Sequence, residues 1–517
     1  MAMKKIIAII LYIFLSGVVL AQTSNTIEVD TEQTQMITEQ NFDTLTTQPT
    51  NTTFANACAY NSSERKKKHF FKAGVEVIGI NAFVNLFDRY VLDAEFAKID
   101  FNSIKHNIEY GFVWDNDKFS TNLFFHPYHG SLYFNAARSN GLSFLQSAPY
   151  AFFGSLMWET CGEIEPPAIN DLLATTIGGI CLGEITFRLS DLILDDRTVG
   201  WERFFREFLA TAVSPMKGLN RLLNGDAWKV RNEYYKYHDF DSIPVILSLT
   251  AGSRYLCDHS NFTKGEQNPF VSIGVNYGRV FELEENKPYS YFAAEVTAGL
   301  SKNQPTISHV SMLGRLWGVN LQTGTDMKMQ FGLYQNFNYY DSSPVIDGST
   351  EVPYRISEAA SIGTGFIYEF PKIGNINCLQ QRIFFNTILL GGSMSDYYRY
   401  IDRDYNMGSG LSARLNTYIE FERYGAFTLN AEYYRIYTWK GYEQSNFEEV
   451  NPLYLNAQGD KSTAVLFVVN PKIELFLSKS LDLELSVYYF LRDTYYRYYN
   501  DVNSSTFEAR IGLNYHI

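Results

Sequence analysis

Beyond its first twenty or so residues, the sequence has no run of about eighteen residues free of strongly polar side chains, so no membrane-spanning helix stands out. Cysteine is scarce. The five present (Cys58, Cys161, Cys181, Cys257 and Cys378) are scattered and odd in number, and their spacing marks neither a disulfide framework nor a structural zinc site. Positive charge is also short: 43 Lys and Arg against 56 Asp and Glu leave a net charge of −13. That excludes nucleic acid as a partner, because binding a phosphate backbone needs a basic surface. No GxxxxGK[ST] and no GxSxG occurs, which removes the P-loop and the serine-hydrolase elbow. From these absences no cofactor and no metal is expected.

What is abundant is aromatic. Phe, Tyr and Trp make up 16% of the 517 residues, with 37 Tyr and 39 Phe, while the mean hydropathy is only −0.18. A lipid-facing barrel averages out this way, since half of every strand is polar.

The ends set the address. The opening MAMKKIIAIILYIFLSGVVLAQ has a charged start at Lys4 and Lys5, an apolar stretch from Ile6 to Leu20, and small side chains at Val19 and Ala21. Residues 1–21 therefore read as a secretory signal peptide, and the mature chain as exported. At the other end, in STFEARIGLNYHI, Phe507, Ala509, Ile511, Leu513, Tyr515 and Ile517 alternate with polar or small residues. Period-two alternation sends the two sets to opposite faces of a strand.

Between the ends lie three regions. Residues 22–68 are rich in Thr, Asn, Gln and Glu and read as disordered, ending in the solvated run Arg65-Lys66-Lys67-Lys68. Residues 69–235 read as a mainly helical domain. Ser143 to Glu165 forms a buried or lipid-proximal helix, and Pro166-Pro167 breaks it. Asn170 or Asp171 caps a second helix through Leu194, and an amphipathic third runs from Trp201 to about Leu223, stopping at Asn224-Gly225. Alternation on both sides of Asp115-Asn116-Asp117-Lys118 suggests a β-hairpin at 104–126.

From 242 to 517 the pattern is strands throughout, starting near 243, 270, 290, 309, 326, 355, 381, 409, 426, 462, 481 and 505. Tight turns at 322–325, 423–425 and 478–480 alternate with long polar connections at 340–354, 394–408 and 440–461. Short turns on one side and long loops on the other mark an outer-membrane barrel. The fold class is then α+β: an antiparallel transmembrane β-barrel of about twelve strands, fourteen if the hairpin joins, preceded by a mostly helical domain. An even strand count places residue 242 on the same side as the C-terminus, so the helices are expected in the periplasm or within the lumen.

The helical region holds the chemistry-bearing side chains. His126 and His129 are spaced HxxH, but Pro127 between them argues against a shared helix face, and no carboxylate sits at a metal-binding offset. Glu159 and Glu163 share a helix face, as do Glu184, Arg188 and Asp191. Arg138 and Arg188 are the obvious counter-charges. The functional reading is an acid–base or headgroup-binding cluster of His126, His129, Arg138, Glu159, Glu163 and Asp171. The plainer one is an ion-paired network locking the helices. Gly178-Gly179 and Gly183 permit close contact with another backbone.

HPYHG at 126–130, Ala137-Arg138 with Gly141, Trp158-Glu159, Glu163, Pro167 with Asn170-Asp171, Gly178-Gly179 and Gly183-Glu184 together make residues 114–228 resemble an uncharacterised family of exported Gram-negative envelope proteins, a domain of unknown function. The resemblance implies the cell envelope and no particular activity. Relatives often carry serine where this chain has Ala168, so it offers no serine nucleophile there. Two classes of function follow. One is an outer-membrane channel, transporter or structural protein with a helical plug or periplasmic domain. The other is an enzyme modifying lipid or lipopolysaccharide through the His/Glu/Asp cluster. The expected partners are outer-membrane lipid and, during biogenesis, the barrel-insertion machinery.

Overall fold

The computed structural model describes residues 67–114, 117–230, 244–258, 263–283, 287–321, 326–345, 352–397, 404–439 and 459–516. The expected signal peptide, and all but the last two residues of the 22–68 segment, lie outside them.

Twelve strands close a barrel: β1 Val245–Asp258, β2 Glu266–Tyr277, β3 Phe292–Gly299, β4 Ile307–Leu321, β5 Lys328–Asp341, β6 Arg355–Phe370, β7 Ile376–Met394, β8 Tyr405–Phe421, β9 Gly425–Thr438, β10 Ser462–Phe476, β11 Leu481–Tyr496 and β12 Val502–His516. Each pairs antiparallel with its sequence neighbours, and β1 closes on β12 over Ser248↔His516 to Asp258↔Thr506. Closure matters because an unpaired backbone N–H or C=O in hydrocarbon costs several kcal/mol.

Alternation then divides every strand. On β12, Ile511, Leu513 and Tyr515 are exposed, while Glu508, Arg510 and Asn514 are buried. The buried set points into the lumen, where it meets side chains from across the barrel. Tyr354, just ahead of β6, stacks on Phe490 of β11 at 4.0 Å and donates to Glu508 at 3.0 Å. Tyr340 of β5 packs edge-on against Tyr434 of β9, and Arg414 of β8 pairs with Glu358 of β6. At the rim holding both barrel termini, called here the near rim, Val280 and Tyr291 of the β2–β3 connection cluster with Leu313, Tyr334, Ile367 and Phe384. Side chains thus meet across the lumen at several levels.

Seven helices lie in the described residues ahead of the barrel: α1 Phe70–Tyr90, α2 Phe101–Tyr110, α3 His126–Ser139, α4 Phe144–Cys161, α5 Ile169–Ile193, α6 Gly200–Val213 and α7 Pro215–Leu223. A π-helical turn, Thr121–Phe125, leads into α3, and another, Ala174–Gly178, interrupts α5.

Three expectations need correction here. The 104–126 hairpin is absent: Asp100 caps α2, accepting from Ser103 N at 2.8 Å, and a barrel closed at twelve strands has no edge for a hairpin to join. The single third segment is two helices, because Pro215 lacks the N–H that would continue α6. By length and composition, α1 and α5 are apolar enough to cross a membrane, their polar groups being spread along otherwise apolar helices.

The helices' barrel contacts also fall elsewhere than expected. Phe119, Leu123, Ala174, Cys181 and Ile185 pack with Val275, Tyr277, Phe292, Val310, Met312, Phe337, Tyr339, Leu390 and Met407. On β5, Phe337 and Tyr339 alternate with Asn338 and Tyr340, which reach Tyr434 and Glu432 across the lumen. These helix contacts are therefore with the barrel's outer wall. They run from Val275 and Tyr277 at the near rim to Tyr405 and Met407 at the opposite one.

Close approach of α3 and α5 assembles the helical module. A Cβ on Gly130 would strike the Thr175 carbonyl, and one on Gly179 would sit 2.6 Å from the Gly130 backbone. Gly130→Ala should therefore force the two helices apart and cost about 1–3 kcal/mol. Helical far-ultraviolet signal should then melt earlier, while the barrel keeps its heat-modifiable migration on gels.

Candidate functional site

The elements that meet at the α3–α5 contact bring the sequence-predicted residues together selectively. His126 and His129 both lie on α3, against the expectation that Pro127 would break it. The π turn Thr121–Phe125 runs straight into α3 and already shifts the backbone hydrogen-bond ladder there, so the helix accommodates Pro127 at that junction. Glu159 comes from the end of α4 and Asp171 from the start of α5.

His126, Glu159 and Asp171 form the centre: each offers a ligand-type atom, all within 4.8 Å of one another. His126 Nε2 lies 3.6 Å from Asp171 Oδ1. Glu159 and Asp171 are 1% and 3% exposed, whereas the His126 side chain keeps 13%. Each is steadied from behind. Thr175 Oγ1, in the π turn of α5, sits 3.3 Å from His126 Nδ1. Ala168 N donates to Glu159 Oε2 at 2.8 Å, and Asn170 Nδ2 donates to Asp171 Oδ1 at 2.6 Å.

His129 lies one turn further on. Its Nε2 is 2.9 Å from the Tyr133 hydroxyl, and its ring meets Trp158 edge-on at 5.2 Å. Tyr133 donates to Asn81 of α1, and Glu159 and Glu163 both lie within electrostatic range of its hydroxyl. Sequence reasoning missed Thr175, Tyr133, Asn81 and the Ala168 N–H. A threonine, an asparagine or a backbone amide carries no spacing signature, and Asn81 joins from a helix some fifty residues earlier.

Arg138 goes elsewhere. Its guanidinium grips Glu184 of α5 through two bonds of 2.7 and 3.1 Å, and Arg188 binds the same carboxylate at 2.8 Å. Arg138 also stacks on Phe187, and Arg188 donates to the Pro288 carbonyl of the barrel at 2.8 Å. This is the ion-paired lock of the plainer reading. The six expected residues thus divide into a converging group around His126, Glu159 and Asp171, and a separate Arg138–Glu184–Arg188 clamp.

Comparison with known proteins places the site within a recognised region. Residues 111–216 match the model of the family described as Domain of unknown function (DUF3943), against the expected 114–228, and include every member of both groups. No curated protein matches the chain. Among solved structures, the chain is similar to the NanC porin, at 10% identity over 52% of this chain and 98% of that one, with a TM-score of 0.27. It is similar to OmpT, an outer membrane protein of Vibrio cholerae, at 9% identity over 54% and 99%, TM-score 0.24. The translocator domain of the autotransporter NalP from Neisseria meningitidis follows at 10% identity over 58% and 95%, TM-score 0.21.

The clamp is open to a direct test. Removing one partner of a buried ion pair leaves the others uncompensated, at a cost of about 3–5 kcal/mol. Glu184→Ala takes the shared carboxylate from buried Arg188 and partly buried Arg138, so a large fall in the melting temperature of the helical module is expected by circular dichroism.

Proposed function

We propose that the chain is an outer-membrane protein in which a closed, filled barrel serves as scaffold, and the helical module lies in the bilayer against its outer wall as the working part. The observation that carries this reading is the inverted polarity of α6 and α7. Arg203, Lys217 and Arg221 are 7%, 3% and 3% exposed, while Trp201 of the same pair of helices is 75% exposed. The buried charges are matched: Arg221 reaches Asp196 at 2.6 Å and Glu207 at 2.7 Å, Arg203 reaches the same two carboxylates, and Lys217 pairs with Asp191. Outside, Trp201, Phe204, Phe205 and Phe208 form an exposed aromatic face. In water this arrangement is the wrong way round, since charged side chains bury only when paired and large apolar patches mark a contact surface. In hydrocarbon it is the favoured one.

Two further observations support the same placement. The module contacts the wall over its whole height, so the layer around the barrel is also the layer around the helices. Exposed apolar side chains continue on α1 and α4, at Phe83 and Phe153. The filled lumen favours a scaffold over an open channel.

A second reading, an enzyme acting on membrane lipid, is favoured by the convergence of His126, Glu159 and Asp171 beside that apolar surface. Its lipid products should disappear from cells carrying Glu159→Gln at normal protein levels. An unchanged lipid profile there rejects it.

The placement predicts a spectroscopic outcome. With spin labels at Phe83→Cys and Phe153→Cys in a cysteine-free background, collisions with oxygen should dominate over those with a water-soluble nickel chelate, as for Leu485→Cys on the bare wall. Dominant nickel collisions at both sites would put the module in water. In planar bilayers the full chain should show no steady conductance; a stable open level would defeat the filled-lumen scaffold.

A further inference from the structure

We infer that His126, Glu159 and Asp171 bind a divalent first-row transition ion, of the zinc or manganese kind. The ligand atoms are already gathered within 4.8 Å, and one ion with bonds of about 2.0–2.2 Å would draw them in by roughly an ångström to the tetrahedral spacing. Two carboxylates and one imidazole suit such an ion, because oxygen-only sites serve calcium and magnesium while the nitrogen selects against them. Charge points the same way. Two buried carboxylates match a doubly charged cation in formal charge, and Arg138 and Arg188 bind Glu184.

The second, independent observation is the outer shell. Metal-binding histidines are characteristically held through the nitrogen that does not ligate, and their carboxylates through a second hydrogen bond. Here Thr175 holds Nδ1 of His126 and leaves Nε2 turned toward Asp171. The Ala168 N–H holds Glu159 Oε2, and Asn170 holds Asp171. Both π turns flank the site, one ending immediately before His126 and the other containing Thr175. Such turns redirect side chains within a helix and recur at functional positions. Three protein ligands leave a further coordination position, and the partly exposed edge of His126 marks where an ion or a small ligand enters.

The test uses the full chain, purified in detergent, so its result does not depend on where the module lies in a membrane. Metal-stripped protein is titrated with Zn2+ and with Mn2+, and calcium and magnesium serve as controls. About one equivalent of the transition ion is expected, with calcium and magnesium failing to compete. His126→Ala, Glu159→Gln and Asp171→Asn should each weaken binding at least tenfold, whereas His516→Ala, beside Asp482 at the barrel's end, should leave it unchanged. In the wild-type Mn2+ form, pulsed electron paramagnetic resonance should detect one imidazole nitrogen, a readout that stands even if a variant fails to fold. The assignment is overturned by any of three results: no stoichiometric binding, binding that survives all three substitutions, or a wild-type spectrum without the nitrogen.

Discussion

Backbone hydrogen bonding closed on itself is the constraint from which the rest of this structure follows. Once β1 pairs with β12, every strand has two neighbours and every residue a fixed side, lumen or exterior. A side chain's chemistry is then set by parity. Glu508 and Arg510 can be charged because they face inward and hold each other at 2.5 Å, while Ile511 between them and Gly512 faces out. The same rule explains why the helices find a surface to pack on at all. Most of the outward set is apolar, and Gln335, a polar member on β5, spends its amide on the Ile177 carbonyl of α5 and its oxygen on Tyr289.

Much of this was legible in the sequence because period-two alternation is a local signal. Leu481, Leu483, Leu485 and Val487 against Asp482, Glu484 and Ser486 need only one strand to be read, and the twelve strand starts follow from repeating that reading. The short turns around Arg423 and Ser478 add a second local signal, since Arg423 adopts φ +71° at a tight corner. The helical module was harder for the opposite reason. Its polarity is inverted, so the residues that ordinarily mark a solvent face, Arg203, Arg206 and Lys217, lie inside. A moment of hydrophobicity shows that a helix has two faces without showing which one looks inward. The sequence therefore yielded the helices of this region but not their surroundings, and it mistook a capped helix at 101–110 for a strand because a short alternating stretch satisfies both periods.

Site residues were legible to the extent that titratable groups announce themselves. His126, Glu159 and Asp171 could be named from residue type and rough helix spacing, yet Arg138 was assigned with them and belongs to a different carboxylate. Choosing between Glu159 and Glu184 as its partner depends on how α3 turns relative to α4 and α5. That rotation is fixed by glycine: Gly130 against Gly179 and Gly183 against Phe134 set the distance between α3 and α5. The glycines were visible as close-contact residues, but which backbone each would meet is tertiary information.

The same few residues join the site to the barrel, and this decides how the two parts depend on each other. Within two turns of α5, Asp171 enters the His126 cluster, Thr175 holds the imidazole, and the Ile177 carbonyl binds Gln335 of β5. Gly178 then lets α5 press between Pro127 and the Ala359 carbonyl of β6, since a Cβ there would come within 2.9 and 3.0 Å of them. Pro127 adjoins His126 itself. The wall, the π turn and the histidine are thus in series, with no flexible linker between them. On the other side, Asn122 and Tyr405 tie the turn ahead of His126 to β8 at 2.6 Å. The barrel supplies what a bundle of this size lacks, a rigid surface that fixes the rotation of α3 and α5 together. His126 and Asp171 face each other where the turn ahead of α3 and the π turn of α5 both rest on the same outer wall, so the barrel helps to set the geometry of a site that contains none of its own residues.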